Sequence, residues 1–102
     1  MSKPRRKMIR QGVVFNDKPE PTVEGYVVAA HDHCWVNRSE VERSTLCGCF
    51  YCRRTFPAAE VDYYLTDGTA MCPYCYIDSV IPSAAGYELT AEFLRKMNDF
   101  WF

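Results

Sequence analysis

Two pairs of cysteines constrain this chain more than any other feature of its sequence. They are Cys49-Phe-Tyr-Cys52 and Cys72-Pro-Tyr-Cys75, and residues 53–71 lie between the pairs. This C-x2-C-x19-C-x2-C pattern falls within the gap of about 15–20 residues that is typical of four-cysteine zinc sites. Two thiolates in one tight turn can converge on an ion at about 2.3 Å, while N–H groups of that turn donate to the sulfurs. The sequence therefore predicts one structural Zn²⁺, or iron as the alternative metal, on Cys49, Cys52, Cys72 and Cys75.

The second pair, Cys72-Pro-Tyr-Cys75, also has the sequence of a thiol-redox site. A thioredoxin-like C-x-x-C follows a strand and begins a helix within a βαβ pattern. Here a predicted hairpin precedes the pair, and only the segment 76–102 follows it. That segment is too short for most of such a sheet, so we favour metal binding over thiol exchange.

The predicted ion is structural because four thiolates fill a tetrahedral zinc shell and leave no position for a reacting water. A zinc deaminase needs an H-x-E element, which this sequence lacks. An HNH-type nuclease on a treble-clef frame needs a histidine near the hairpin and a second metal held by His or Asn, and residues 53–71 contain neither. We therefore predict no catalytic residues, with a small metal-dependent hydrolase or nuclease as the less favoured alternative.

Two cysteines and two histidines lie outside the pairs. They supply ligand types for a second metal site, but their spacing matches no known pattern, so the second site stays an open question. The four residues are His31, His33, Cys34 and Cys47. A candidate hydrolytic site near a predicted helix start shares a histidine with this group. The simpler interpretation of its residues is an ordinary loop histidine, a helix cap and solvated side chains. Its residues are His31, Asp32, Arg38 and Glu40.

Length and flanking sequence indicate the class of protein. A chain of 102 residues fits one domain with a modest core. The start, MSKPRRKMIRQ, has no apolar segment behind its positive charges, so it is no secretory signal. No apolar run approaches the ~20 residues of a membrane helix. We therefore expect a cytoplasmic protein with no membrane partner, whose thiols stay reduced.

Charge divides the chain into two parts. Residues 1–10 carry a net charge of +5, whereas residues 11–102 carry 7 basic and 13 acidic side chains. We expect residues 1–25 to form a basic, partly extended arm with one short strand at residues 13–15, and residues 26–102 to form a single zinc-binding domain. Such an arm improves solubility or binds an acidic partner such as nucleic acid. Its basic side chains are Lys3, Arg5, Arg6, Lys7 and Arg10.

Local patterns predict two helices. Asn37 followed by Glu40 has the spacing of a capping box, which predicts a helix from residue 38 to about Ser44. Thr90 caps a second, C-terminal helix. Apolar residues of that helix recur at helical spacing and predict a packed face: Phe93, Leu94, Met97, Phe100 and Trp101. The apolar run at residues 26–30 is too short to assign.

A hairpin is predicted between the cysteine pairs. Residues 61–66 alternate as in a half-buried strand, with Val61, Tyr63 and Leu65 on one face. Asp67-Gly68 is a hairpin turn that leads to a return strand at residues 69–71. A short helix at residues 58–64 is the alternative. The expected fold is therefore α+β: a small zinc-ribbon or treble-clef-like domain with a β-hairpin between two zinc knuckles, a preceding helix and a packed C-terminal helix.

Residues 31–102 resemble a family of small, uncharacterised bacterial cytoplasmic proteins with the pattern CGCFYC…CPYCGIDSVI…YWF. Here residues 47–52 read CGCFYC, residues 72–81 read CPYCYIDSVI, and the chain ends in FWF. The resemblance implies a zinc-ribbon-like or treble-clef-like cytoplasmic domain. Tyr76 stands where the family usually has glycine, which predicts a different bend in the second knuckle.

These features favour a non-enzymatic structural-zinc module that binds an unknown protein partner. Exposed tyrosines at the knuckles either form a partner surface or cover the metal. They are Tyr51, Tyr74 and Tyr76. The alternative is a nucleic-acid-binding zinc protein that uses the basic arm.

Overall fold

The computed structural model describes residues 25–102, which form three α-helices and a three-stranded antiparallel sheet. The α+β class is therefore confirmed. The predicted basic arm and its predicted short strand lie outside the described residues, except for Gly25, which begins the first helix. In chain order the elements are α1 (Gly25–Ala30), α2 (Arg38–Glu42), β1 (Leu46–Cys49), β2 (Thr55–Pro57), β3 (Val80–Pro82) and α3 (Ala91–Trp101). Single 3-10 turns occupy His31–His33, Ala58–Glu60 and Ser83–Ala85.

Strand β1 lies at the centre of the sheet, between β2 and β3. Cys47 is opposite Phe56 of β2, and Cys49 is opposite Val80 of β3. These four side chains belong to one buried cluster, which also contains Cys72 and against which Cys52 and Cys75 pack. Gly48 and its β3 partner face the other way, because side chains alternate along a strand. The sheet thus separates the metal site from the helical core.

Helix α3 packs on the second face of the sheet together with α1. Thr90 Oγ1 accepts a hydrogen bond from Phe93 N at 3.0 Å, which confirms the predicted cap. Phe93, Leu94 and Met97 are buried, as predicted, whereas Phe100 is 40% exposed. Residues 26–30, which were too few to assign from the sequence, lie in helix α1. The Val27 carbonyl of this helix accepts a hydrogen bond from Trp101 Nε1 at 3.1 Å. None of the helices within residues 25–102 has the length and apolar character needed to span a bilayer.

Gly48 is the point of closest approach between β1 and α3. A Cβ at this position would lie 3.1 Å from Leu94 Cδ2, and Leu94 is fully buried. Because Leu94 has no room to move, we expect Gly48→Ala to lower the free energy of unfolding by about 1–2 kcal/mol. Urea denaturation of the metal-loaded protein measures the change. Gly25→Ala is the control, since its Cβ would meet nothing within 4 Å, and equal stability of the two variants would contradict the prediction.

Helix α2 forms near the predicted position, but the predicted capping box is wrong. Asn37 makes no side-chain cap bond. Its Nδ2 instead donates to His33 O at 2.8 Å and Val80 O at 2.9 Å, and its Oδ1 accepts from Ala70 N at 3.0 Å. Glu40 contacts His33 Nδ1 at 3.0 Å instead of the helix start. Because Asn37 is only 2% exposed, backbone groups of three segments satisfy its amide, and these bonds replace the cap.

The predicted hairpin between the cysteine pairs is reduced to a turn with one bridge, between Tyr64 and Ala70. The prediction that Tyr63 lies on the buried face of a strand is also wrong, because Tyr63 is 55% exposed whereas Tyr64 is half-buried. The Arg38 guanidinium lies over the Tyr64 ring, 4.6 Å from the ring centre. The alternative helix is limited to the 3-10 turn Ala58–Glu60. The sheet forms instead from β1, β2 and β3, outside the predicted segment.

Candidate metal centre

The four paired cysteines converge on one point. Their Sγ atoms all lie within 4.8 Å of one another. The Sγ atoms of Cys49 and Cys75 are 3.6 Å apart, and those of Cys52 and Cys72 are 3.8 Å apart. A tetrahedron with metal–sulfur bonds of about 2.3 Å has sulfur–sulfur edges of about 3.8 Å. The cluster can therefore hold a metal ion.

The first knuckle is a tight turn at the end of β1. Cys49 N donates to Arg54 O at 2.9 Å, and Arg53 N donates to Cys49 O at 2.7 Å. Arg53 has a φ of +67°, in the left-handed region. This conformation reverses the chain immediately after Cys52 and directs the Cys52 sulfur towards that of Cys49.

The second knuckle repeats the first. Cys72 N donates to Ile77 O at 3.1 Å, and Tyr76 N donates to Cys72 O at 2.9 Å. Tyr76 has a φ of +61°. The different bend predicted for this knuckle is therefore wrong, because tyrosine adopts the left-handed conformation that glycine would adopt more readily.

Each sulfur accepts a hydrogen bond from the N–H group two residues further along the chain. Tyr74 N lies 3.4 Å from Cys72 Sγ. The other such donors are Tyr51 for Cys49, Arg54 for Cys52 and Ile77 for Cys75, and Cys49 also accepts from the N–H of Cys52. Such bonds stabilise thiolates, and the two turns supply them without any side chain.

Protons compete with a metal for these sulfurs. Burial raises the pKa of Cys49 far above its ordinary value and that of Cys75 to about 11. Burial acts on Cys52 in the same direction, but hydrogen bonds from Arg54 N and the neighbouring sulfurs lower its pKa below the ordinary value. Metal binding must therefore release protons, and metal affinity falls as the pH falls.

Tyr51 and Tyr74 of the knuckles pack against neighbouring side chains. The Tyr74 ring lies 5.7 Å from the Phe56 ring and 5.0 Å from the Arg54 guanidinium, and its hydroxyl donates to Glu60. The Tyr51 ring contacts Phe102 at 4.9 Å. The Arg54, Phe56 and Glu60 contacts were not predicted, although Arg54 closely follows Cys52 in the sequence.

The residues considered for a second metal site are not brought together. Within residues 25–102, no other group of three or more His, Cys, Asp or Glu side chains has converging ligand atoms. Cys34 is buried among α1 and α3, and Cys47 is buried in the sheet. The His31 ring lies 3.9 Å from the Trp101 ring, whereas His33 contacts Glu40.

The candidate hydrolytic cluster is dispersed as well. Arg38 Nε donates to Glu42 at 2.9 Å. Glu40 contacts His33, and His31 stacks on Trp101. Asp32 is exposed. These side chains have different partners and do not form one site.

Cys47 is expected to resist alkylation in the folded protein. Burial raises its pKa to about 12, so at pH 8 roughly one thiol in 10,000 is the reactive thiolate. Iodoacetamide treatment of the metal-loaded protein at pH 8, followed by mass spectrometry, should leave Cys47 unmodified. The same protein in guanidinium with a chelator is the control and should be modified there, and rapid labelling of the folded form would contradict the prediction.

The sulfur cluster is the feature of this chain from which a function can be argued. It combines four convergent sulfurs with two knuckles of matching hydrogen bonds. Comparison of the chain with profiles of protein families, with curated proteins and with solved structures gave no match.

Proposed function

We propose that this chain is a non-enzymatic cytoplasmic module of zinc-ribbon or treble-clef type that binds a protein partner and is stabilised by one structural Zn²⁺. The observation that carries the proposal is the convergence of four Sγ atoms within 4.8 Å. Four thiolates complete a tetrahedral shell, so the ion supports folding and leaves no position for a substrate.

Metal analysis tests the first part of the proposal. Thiolates bind zinc and iron alike, so the identity of the ion must be measured. Inductively coupled plasma mass spectrometry of the protein purified from unsupplemented cells should give one zinc per chain. One iron per chain, with visible absorption, would identify the ion as iron instead of zinc. A folded chain without metal would overturn the structural role of the ion.

A strained and exposed loop supports protein binding. Trp35 and Val36 are 54% and 56% exposed. Val36 has a φ of +49°, which is unusual for a β-branched residue, and its N–H donates to the Thr69 hydroxyl at 2.8 Å. The fold thus holds a large apolar pair in place at a cost in strain. Tryptophan is among the residues that contribute most to protein–protein affinity.

Charge supports a protein partner over nucleic acid. Residues 25–102 contain six basic and ten acidic side chains, a net charge of −4. Zn²⁺ with four thiolates adds a further −2. A domain with this charge repels a phosphate backbone at long range.

Affinity capture from native cells tests the binding role. The wild-type chain should enrich a protein that is lost with Trp35→Ser and with the unfolded Cys49→Ser/Cys72→Ser variant. Tyr63→Ser is the matched control, because Tyr63 is exposed to the same extent, at 55%, and it should retain the partner. Nucleic acid whose binding weakens steeply with salt and on deletion of residues 1–10 would favour the alternative. No enrichment over the unfolded variant would remove the binding role.

A further inference from the structure

Two residues at equivalent positions of the knuckles adopt the left-handed backbone conformation, which is unfavourable for any residue with a side chain. Arg53 and Tyr76 each directly follow the second cysteine of a pair, with φ of +67° and +61°. Glycine reaches this region readily, whereas other residues are strained there. The matching turns require the conformation at both positions, yet neither position holds glycine.

The side chains do not offset this strain within the fold. Tyr76 is 66% exposed, and Arg53 is exposed as well. Within the described part of the chain, neither side chain makes a hydrogen bond, ion pair or ring contact. Tyr74 differs, since it packs against Phe56 and donates to Glu60. Folding alone would therefore favour glycine at positions 53 and 76.

Arg53 and Arg54 also lack carboxylate partners among residues 25–102. Among the other basic side chains of residues 25–102, Arg38, Arg95 and Lys96 each form an ion pair with an acid one helical turn away, and Arg43 donates to the Ser39 carbonyl at 3.3 Å. Arg53 and its neighbour Arg54 form none, and the Arg54 guanidinium lies over the Tyr74 ring. Two guanidinium groups that directly follow the first pair of cysteines in the sequence are thus available for carboxylates from another molecule.

We infer that the knuckles form a docking surface for an acidic segment of a protein partner, with Tyr76 as the aromatic contact and Arg53 and Arg54 as carboxylate-binding groups. The inference rests on the proposed function and names the surface and the chemistry of the partner. Tyrosine and arginine are enriched in protein interfaces. Two guanidinium groups match a segment with a few carboxylates, whereas the negative charge of the domain opposes the continuous charge of a nucleic acid.

The strain predicts opposite effects on stability and binding. Tyr76→Gly should raise the Tm of the metal-loaded protein by roughly 2–6 °C, because it removes a left-handed non-glycine residue whose side chain is 66% exposed and makes no ring contact with the described residues. Tyr74→Gly is the matched control and should lower the Tm, since Tyr74 packs. Differential scanning calorimetry measures both. A Tm for Tyr76→Gly that is unchanged or lower would overturn the inference.

Photo-crosslinking in native cells tests the docking surface directly. The full chain carries p-benzoyl-L-phenylalanine in place of Tyr76 or, separately, in place of Trp35, and mass spectrometry identifies the crosslinked peptide. At position 76 we expect an adduct with a protein segment in which acidic residues outnumber basic ones. Arg53→Glu/Arg54→Glu should abolish this adduct. Arg43→Glu/Arg95→Glu changes the charge equally and should retain it.

The two positions separate this inference from the proposed function. An adduct at position 76 with nucleic acid, with a second copy of the chain or with a segment lacking acidic excess would overturn the inference, as would no adduct. If position 35 still crosslinks to a protein, the binding module stands without this surface. If neither position crosslinks to a protein, both proposals fail.

Discussion

Removal of the metal is expected to unfold residues 25–102. Cys49 and Cys72 are fully buried within one of the two hydrophobic clusters, so this cluster is built around the proposed metal site. A structural zinc supplies on the order of 10 kcal/mol of folding free energy. That contribution is comparable with the entire stability of a small domain, roughly 5–15 kcal/mol. Addition of EDTA should therefore abolish the helical circular dichroism signal and the dispersion of amide NMR resonances.

Three comparisons make the metal dependence specific. Readdition of Zn²⁺ under reducing conditions should restore both signals. Cys49→Ser/Cys72→Ser removes one ligand from each knuckle and should stay unfolded even with excess Zn²⁺. Cys34→Ala, which changes a cysteine outside the cluster, should fold with Zn²⁺ and unfold with EDTA. Retention of NMR dispersion in a chain shown by elemental analysis to be metal-free would contradict the prediction.

The convergence of the four sulfurs was predictable because each knuckle is a local structure. In both, two hydrogen bonds close the turn within a short segment, from Cys49 to Arg54 and from Cys72 to Ile77. The spacing of the cysteines therefore fixes the direction of their sulfurs. Helix α3 was predictable for the same reason, since Thr90 and the apolar repeat act within one short helix and its cap.

The sheet was not predictable because its strands are short and the pairing of β1 with β3 is nonlocal. Strands β2 and β3 contain three residues each, too few for an alternating pattern. Gly48 of β1 pairs with Ile81 of β3, and both cysteine pairs lie in or between these strands. The alternating run at Val61–Leu65 is longer, yet it buries no complete face because Tyr63 and Leu65 are exposed.

Asn37 shows how tertiary contacts replace a local signal. The spacing of Asn37 and Glu40 fits a capping box, and helix α2 does begin at the next residue. In the structure, however, the Asn37 amide connects the backbone of three segments, through His33, Val80 and Ala70. The sequence gives no sign of these partners, because Ala70 and Val80 are distant from Asn37 along the chain.

The two roles of Asn37 predict different losses of stability. A cap contributes about 1 kcal/mol. Asn37→Ala should instead lower the free energy of unfolding by about 3 kcal/mol, because it leaves one N–H and two carbonyl groups without their partner at a site that is 2% exposed. Urea denaturation of the zinc-loaded protein measures the difference. A loss of only about 1 kcal/mol in the free energy of unfolding would indicate that Asn37 contributes no more than a helix cap.

Asn37→Asp separates the roles more sharply. Aspartate caps a helix as well as asparagine does, so a capping role predicts almost no change in stability. The network predicts a loss at least as large as that of Asn37→Ala, since a carboxylate cannot donate to the carbonyls of His33 and Val80 and would be buried facing them. Because the Val80 carbonyl belongs to β3 and the Ala70 N–H lies just before the second knuckle, this loss would also weaken the connection between the sheet and the metal site. Zinc affinity should therefore fall together with stability, and an Asn37→Asp variant with wild-type values of both would disprove the network.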